Sequence, residues 1–210
     1  MQLTIVGTVH AETGLANSNE LLKILERLKP DVIFAEIPPS YVGRYCDGSH
    51  GTLEAVAVAR YKEGHQFAVI PVDLEKPEEA FFSDAREMFD KVERTSHDYR
   101  RLMDQHSRNT RTDGFPYLNS DRCIQAWTDI RSEVLATLDW IGNPQLQEVY
   151  SKWRMHDERR DVEMVARIAD YADRKGLGHG VFLFGAAHMQ SILEKTRGFA
   201  PPARAGYFKR

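Results

Sequence analysis

The sequence predicts an α/β fold: a mostly parallel central sheet with flanking helices and a large helical insertion between the third and fourth core strands, all in a single domain over residues 1–210. Three observations predict it. Four short apolar runs, Leu3 to Val6, Val32 to Ala35, Phe67 to Val72 and Val181 to Phe184, have the length of buried strands. The first three alternate with segments of helical periodicity, the βαβ pattern of a parallel sheet. Residues 77–175 then carry no convincing strand, although a crossover needs only about a dozen residues.

The first run closes at Gly7 and is read as a strand stopping in a tight turn that aims His10 outward. Asn17-Ser18-Asn19-Glu20 supplies an N-cap, and Leu21, Leu22, Ile24, Leu25 and Leu28 repeat at helical spacing until Pro30 stops the helix. The second run ends in Glu36, ahead of Ile37-Pro38-Pro39, which cannot continue a ladder. A second helix spans Thr52 to Glu63, closed by Gly64, and leads into the third run, which ends in Asp73. The 77–175 insertion divides at Ser96, at Asp113-Gly114-Phe115-Pro116 and at Gly142-Asn143-Pro144 into several helices expected to cap the sheet edge. Its last helix runs from Gln145 to Lys175, and the fourth strand follows, with a further helix from Ala186 to Lys195. The tail from Gly198, with Pro201-Pro202, carries no readable signal.

Among 210 residues, 28 Lys and Arg face 31 Asp and Glu, a formal net charge of −3. That balance leaves no basic stripe for nucleic acid and favours a small-molecule or peptide substrate. The two cysteines, Cys46 and Cys123, lack zinc-knuckle spacing and are read as reduced thiols. The N-terminus lacks the pattern of a secretory signal, and no run approaches the ~20 apolar residues that span a bilayer, so a soluble, cytoplasmic protein without a membrane segment is expected. Oligomeric state is not readable.

In a parallel sheet all strands finish on one edge, where open α/β sheets hold their ligands. Four ionisable groups follow the four runs: His10, Glu36, Asp73 and His188. Two of them share a spacing, Gly7-Thr8-Val9-His10 and Gly185-Ala186-Ala187-His188. His188 falls in the first turn of its helix, where the dipole disfavours protonation, so a neutral imidazole is expected. Asp73 serves either this site or the cap of the helix beginning near Pro77. On the long helix the inner stripe of Trp153, Met164, Ile168 and Tyr171 is interrupted by Asp157, Arg160 and Asp161. Either Asp157 and Arg160 pair internally, or Arg160 points into the cleft to hold an anionic group. His50, His65, His97, His106, His156 and His179 receive no role. Two His and one Glu suit a divalent transition metal with an open coordination position, although the His-Glu-x-x-His motif of common zinc proteases is absent.

The two Gly-x-x-His motifs, the strand ending in Glu36, the helix bearing Glu54 ahead of Asp73, and Arg160-Asp161-Val162-Glu163-Met164 occur in an order that resembles the TraB/PrgY/Tiki family, within the wider group of ChaN-like haem-binding proteins and erythromycin esterases. The likeness spans nearly the whole chain. It implies a metal-dependent hydrolase of the peptidase or amide-bond class, with His10, Glu36 and His188 around a divalent ion such as Mn, Co or Zn. Glu36, Arg160, Asp73 and Glu54 are then the candidate catalytic residues, and Arg160, Asp161 and Arg44 the candidate substrate contacts. The chain departs from the family at Arg159, where an acidic residue is usual, and at Leu74, where the family has Arg. The alternatives are a metal-independent esterase-like hydrolase with His10, oriented by Glu36, as general base, and a non-catalytic protein that binds haem or a peptide.

Overall fold

A computed structural model describes residues 2–175, 178–198 and 204–205. Four parallel strands form the sheet: β1 (Gln2–Thr8), β2 (Val32–Ala35), β3 (Ala68–Pro71) and β4 (His179–Gly185). Their spatial order is β3-β2-β4-β1, so the last long strand lies between the first two. A two-residue strand, β5 (Arg204–Ala205), pairs parallel with Thr4 and Ile5 on the outer side of β1; the Pro201-Pro202 part of the tail lies outside the described residues.

Side chains alternate across the sheet as a period of two requires. Val6, Ile33, Ala35, Val181 and Leu183 face one side, against α1 (Ser18–Leu28), α3 (Leu53–Lys62) and the short α6 (Phe115–Leu118). Leu3, Ile5, Phe34, Phe182 and Phe184 face the other, against Met164, Val165 and Ile168 of α8 (Pro144–Lys175) and against α9 (Met189–Lys195). Both faces are thus covered, which explains why the strands read as continuous apolar runs. Asn17 caps α1 by accepting from the Glu20 amide, as expected, and Thr52 caps α3 in the same way. The segment after β2 forms a short helix, α2 (Val42–Cys46).

The insertion comprises α4 (Glu79–Thr95), α5 (His97–Asp113), α6, α7 (Asp121–Ile141) and α8, divided where the sequence expects. Met88, Val92, Val134, Leu138 and Tyr150 give it a small core of its own, while α6 and the second half of α8 belong to the layers on the sheet. It is therefore both cap and flank. Asn119 joins the two parts by mimicking a neighbouring strand: its amide accepts from Gly7 N–H at 2.7 Å and donates to Gly7 C=O at 3.0 Å. Among the described residues no helix is long and apolar enough to cross a membrane.

Gly7 corrects one expectation. It lies within β1, not in a turn, and its φ is not positive. A Cβ there would meet Met189 Cε at 2.8 Å and Ala186 Cβ at 3.2 Å, so this glycine lets the turn after β4 approach β1.

Candidate functional site

The parallel register brings the two Gly-x-x-His turns side by side, with Gly7 opposite Phe184 and Thr8 opposite Gly185. His10, Glu36 and His188 consequently meet at the C-terminal edge of the sheet. A Cβ built on Gly185 would stand 3.5 Å from Glu36 Oε2, 3.8 Å from His188 Cδ2 and 4.0 Å from His10 Nε2, so the three side chains border one small space beside this glycine.

Each imidazole is seated on a carboxylate through Nδ1. His10 Nδ1 lies 3.2 Å from Glu54 Oε1, and that oxygen also accepts from Thr8 Oγ1 at 2.5 Å. His188 Nδ1 lies 2.8 Å from Asp161 Oδ1. Both rings therefore leave Nε2 for the shared space. The hydrogen bond to Glu54 lifts the pKa of His10 to about 9 against the opposing effect of burial, with the charges of Glu54 and Glu36 adding to the rise. His188 follows the same sign. Burial disfavours its charge, but Asp161, Glu36 and Asp157 outweigh that and raise its pKa above the ordinary imidazole value. This direction is opposite to the lowering expected from the helix dipole. Ala186–His188 forms a 3₁₀ turn ahead of α9, and a carboxylate from α8 decides the proton.

Glu36 leaves β2 with both oxygens engaged: Oε2 accepts from Gly185 N–H and Oε1 from Arg160 Nη2, each at 2.5 Å. His188 Nε2 stands 3.7 Å from the same Oε1. Arg160 also grips Asp73, through Nη2 at 2.8 Å and Nε at 3.0 Å. Burial works against this guanidinium, and Asp73 and Glu36 more than offset it, so its pKa sits above the usual range. Asp73 belongs to this clamp and does not cap the next helix, which starts at Glu79. Arg160 lines the cleft, and Asp157 lies 3.8 Å from its Nη1, but its closest partners are the carboxylates of Glu36 and Asp73.

A cleft of about 320 Å³ opens over this floor. His10, Glu36, Asp73, Asp157 and Arg160 line it, together with Phe82, Trp153, His50 and His156. The last two were given no role, yet His156 stands four residues before Arg160 on α8, a spacing that shares one helix face. Burial lowers the pKa of both, with Lys76 adding to the effect at His50 and Arg160 at His156. Arg44 is not brought to the cleft; it donates to Ser49 C=O at 3.3 Å. Asp161 is 3 % exposed and serves His188. Behind His188 lies a second, mostly polar cavity of about 220 Å³, bordered by Arg131, Arg154, Asp157 and Lys195.

The donor types of His10, Glu36 and His188 suit a divalent ion, and a carboxylate on Nδ1 is a usual partner of a metal-bound imidazole. The spacing does not suit it: among the described residues no three His, Cys, Asp or Glu side chains are gathered closely enough to hold an ion, and Glu36 already binds two N–H donors. As arranged, these residues do not make a coordination cage. A haem needs an apolar slot, whereas this cleft carries the Glu36–Arg160–Asp73 ion pairs in its lining.

Comparison with known proteins finds no match for the chain among protein families, curated proteins or solved structures.

Proposed function

We propose that the protein hydrolyses a carbonyl-centred bond of the peptide, amide or ester class, with water activated by His10. The observation that carries this reading is the pair of carboxylate-seated imidazoles bordering one space beside Gly185. Such a pair supplies both halves of acid–base catalysis when one ring is neutral and the other charged. Neutral His10 takes a proton from water on Nε2 while Glu54 holds Nδ1. The resulting hydroxide oxygen bonds to the carbonyl carbon, and the Nε2–H of protonated His188 faces the developing oxyanion. Collapse breaks the bond to the leaving nitrogen or oxygen, which receives the proton from His10. Glu36 and Arg160 hold this floor in place, and Glu36 also steadies the charge on His188.

The test is hydrolysis of a panel of chromogenic esters and amides before and after EDTA treatment. Turnover should survive chelation, rise with pH up to about 9 as His10 loses its proton, and fall by about 10²–10⁴-fold in His10→Ala. Activity lost in EDTA and restored by Mn, Co or Zn would place a metal at His10, Glu36 and His188 and overturn the protein-only base. A Soret band on haem titration, lost in His188→Ala, without turnover of any substrate would overturn the hydrolase reading itself.

A further inference from the structure

The cleft has two unlike sides. Beside the ion-paired floor stands an aromatic wall whose anchor, Trp153, is packed on two sides: Phe81 stacks on it at 5.6 Å with 12° between the rings, and Phe89 meets it edge-on at 5.6 Å. Phe82 packs edge-on against Phe81 at 5.5 Å and extends the wall into the cleft. One helical turn beyond Trp153 on α8 comes Asp157, which also lines the cleft. Its charge is unlike the others there. The carboxylates of Glu36 and Asp73 are fixed to Arg160 by hydrogen bonds, and Glu75 accepts from Ser40. Asp157 makes no hydrogen bond among the described residues and meets Arg160 only at 3.8 Å. Its remaining titratable neighbours are Asp161, His188, His156, Arg154 and Arg131; the two arginines border the polar cavity behind His188, which Asp157 also lines. Of the cleft's cations, Arg160 is committed to its carboxylates, His10, charged below about pH 9, is held by Glu54, and Lys76 is parked over the Tyr41 ring, 4.7 Å from its centre.

We propose that the cleft selects a ligand carrying an aromatic ring and a protonated amine, the ring against Trp153 and Phe82 and the ammonium on Asp157. The chemistry is complementary on both counts. A flat ring gains dispersion and quadrupole contact on a preformed aromatic face, and an ammonium supplies Asp157 with the charge-assisted hydrogen bond it lacks. The ring faces also attract the cation. A cavity near 300 Å³ is at the small end of ligand pockets, which matches a single aromatic amine and the bond beside it. The proposal rests on the hydrolase reading only in placing the carbonyl of such a molecule, an aromatic aminoacyl amide or ester, next to His10.

Binding and turnover separate the two. Phenethylamine, 3-phenylpropionate and butylamine, titrated by calorimetry against the whole chain, should show phenethylamine binding about tenfold more tightly than either of the others. Asp157→Asn should erase its advantage over phenylpropionate, and Phe82→Ala its advantage over butylamine, with folding checked by circular dichroism. In the unmodified protein, added salt should weaken phenethylamine binding. Phenylpropionate binding as well as or better than phenethylamine, or selectivity untouched by both substitutions, would overturn the proposal. Phenylalanine p-nitroanilide cleaved in preference to its N-acetyl form supports both readings, whereas selective binding with no cleavage of any substrate removes the hydrolase reading and keeps this one.

Discussion

The two Gly-x-x-His turns share a spacing and a strand edge, yet they sit in opposite surroundings. His10 keeps 62 % of its side chain accessible, over the buried Glu54, whereas His188 keeps only 12 %. The glycines diverge as well. At Gly7 there is no room for a methyl group, because Met189 and Ala186 press against it, whereas at Gly185 a methyl would make ordinary contacts but enter the space between the imidazoles. One motif has been spent on packing and the other on keeping a space open. The lesson is that a repeated pattern marks a shared location and leaves the role of each copy to its neighbours.

Breaking the comparison at the reacting groups should give the largest effect. His10→Ala should lower kcat/KM by about 10²–10⁴-fold, the usual range for a lost acid–base group. Gly185→Ala should approach that loss while the melting temperature stays within about 2 °C, since surface-like changes without clash cost little. A Gly185→Ala protein with full activity would show that the space is not where chemistry occurs. Arg160→Met comes next: it leaves Glu36 and Asp73 without their cation and should cost about 3–5 kcal/mol in chemical denaturation. Gly7→Ala follows at about 1–3 kcal/mol from overpacking, with the residual folded protein active.

The smallest effect is electrostatic. In an NMR titration the His10 ring protons should move with a midpoint near pH 9, falling toward the model-peptide value near 6.5 in Glu54→Gln. Because folding raises this pKa, the associated stabilisation is complete below about pH 6.5 and fades as pH rises through 9. A midpoint near 6.5 in the unmodified protein would deny the Glu54 contact its influence.

Much of the architecture was legible because it depends on local pattern. Apolar runs gave β1, β2, β3 and β4 within one or two residues at most ends, Asn17 and Thr52 announced helix starts, and Asp113 to Pro116 and Gly142 to Pro144 marked helix breaks. Four strand-end side chains converge because a parallel sheet puts them on one edge. What the chain could not reveal was pairing across distance. Asp161 reaches His188 from a separate helix, and this contact helps shift the imidazole pKa in the direction opposite to that suggested by the dipole alone. Glu54 was placed only by family resemblance; nothing in its local sequence says that it takes His10 and Thr8. Trp153 looked like core and proves to be a cleft wall, a distinction set by helix rotation of a few tens of degrees and not by composition. Arg44, a candidate substrate contact, instead donates to the Ser49 carbonyl.

The position of β4 between β1 and β2 carries a further consequence. During synthesis the ribosome releases the first two strands long before residues 179–188 exist, and those strands cannot pair with each other in the finished arrangement. The late strand acts as a keystone: it joins two halves of the sheet and delivers His188 in the same movement. A nascent chain that ends before residue 179 has neither a joined sheet nor His188, and supplying the missing segment in trans to a shortened chain would complete both at once.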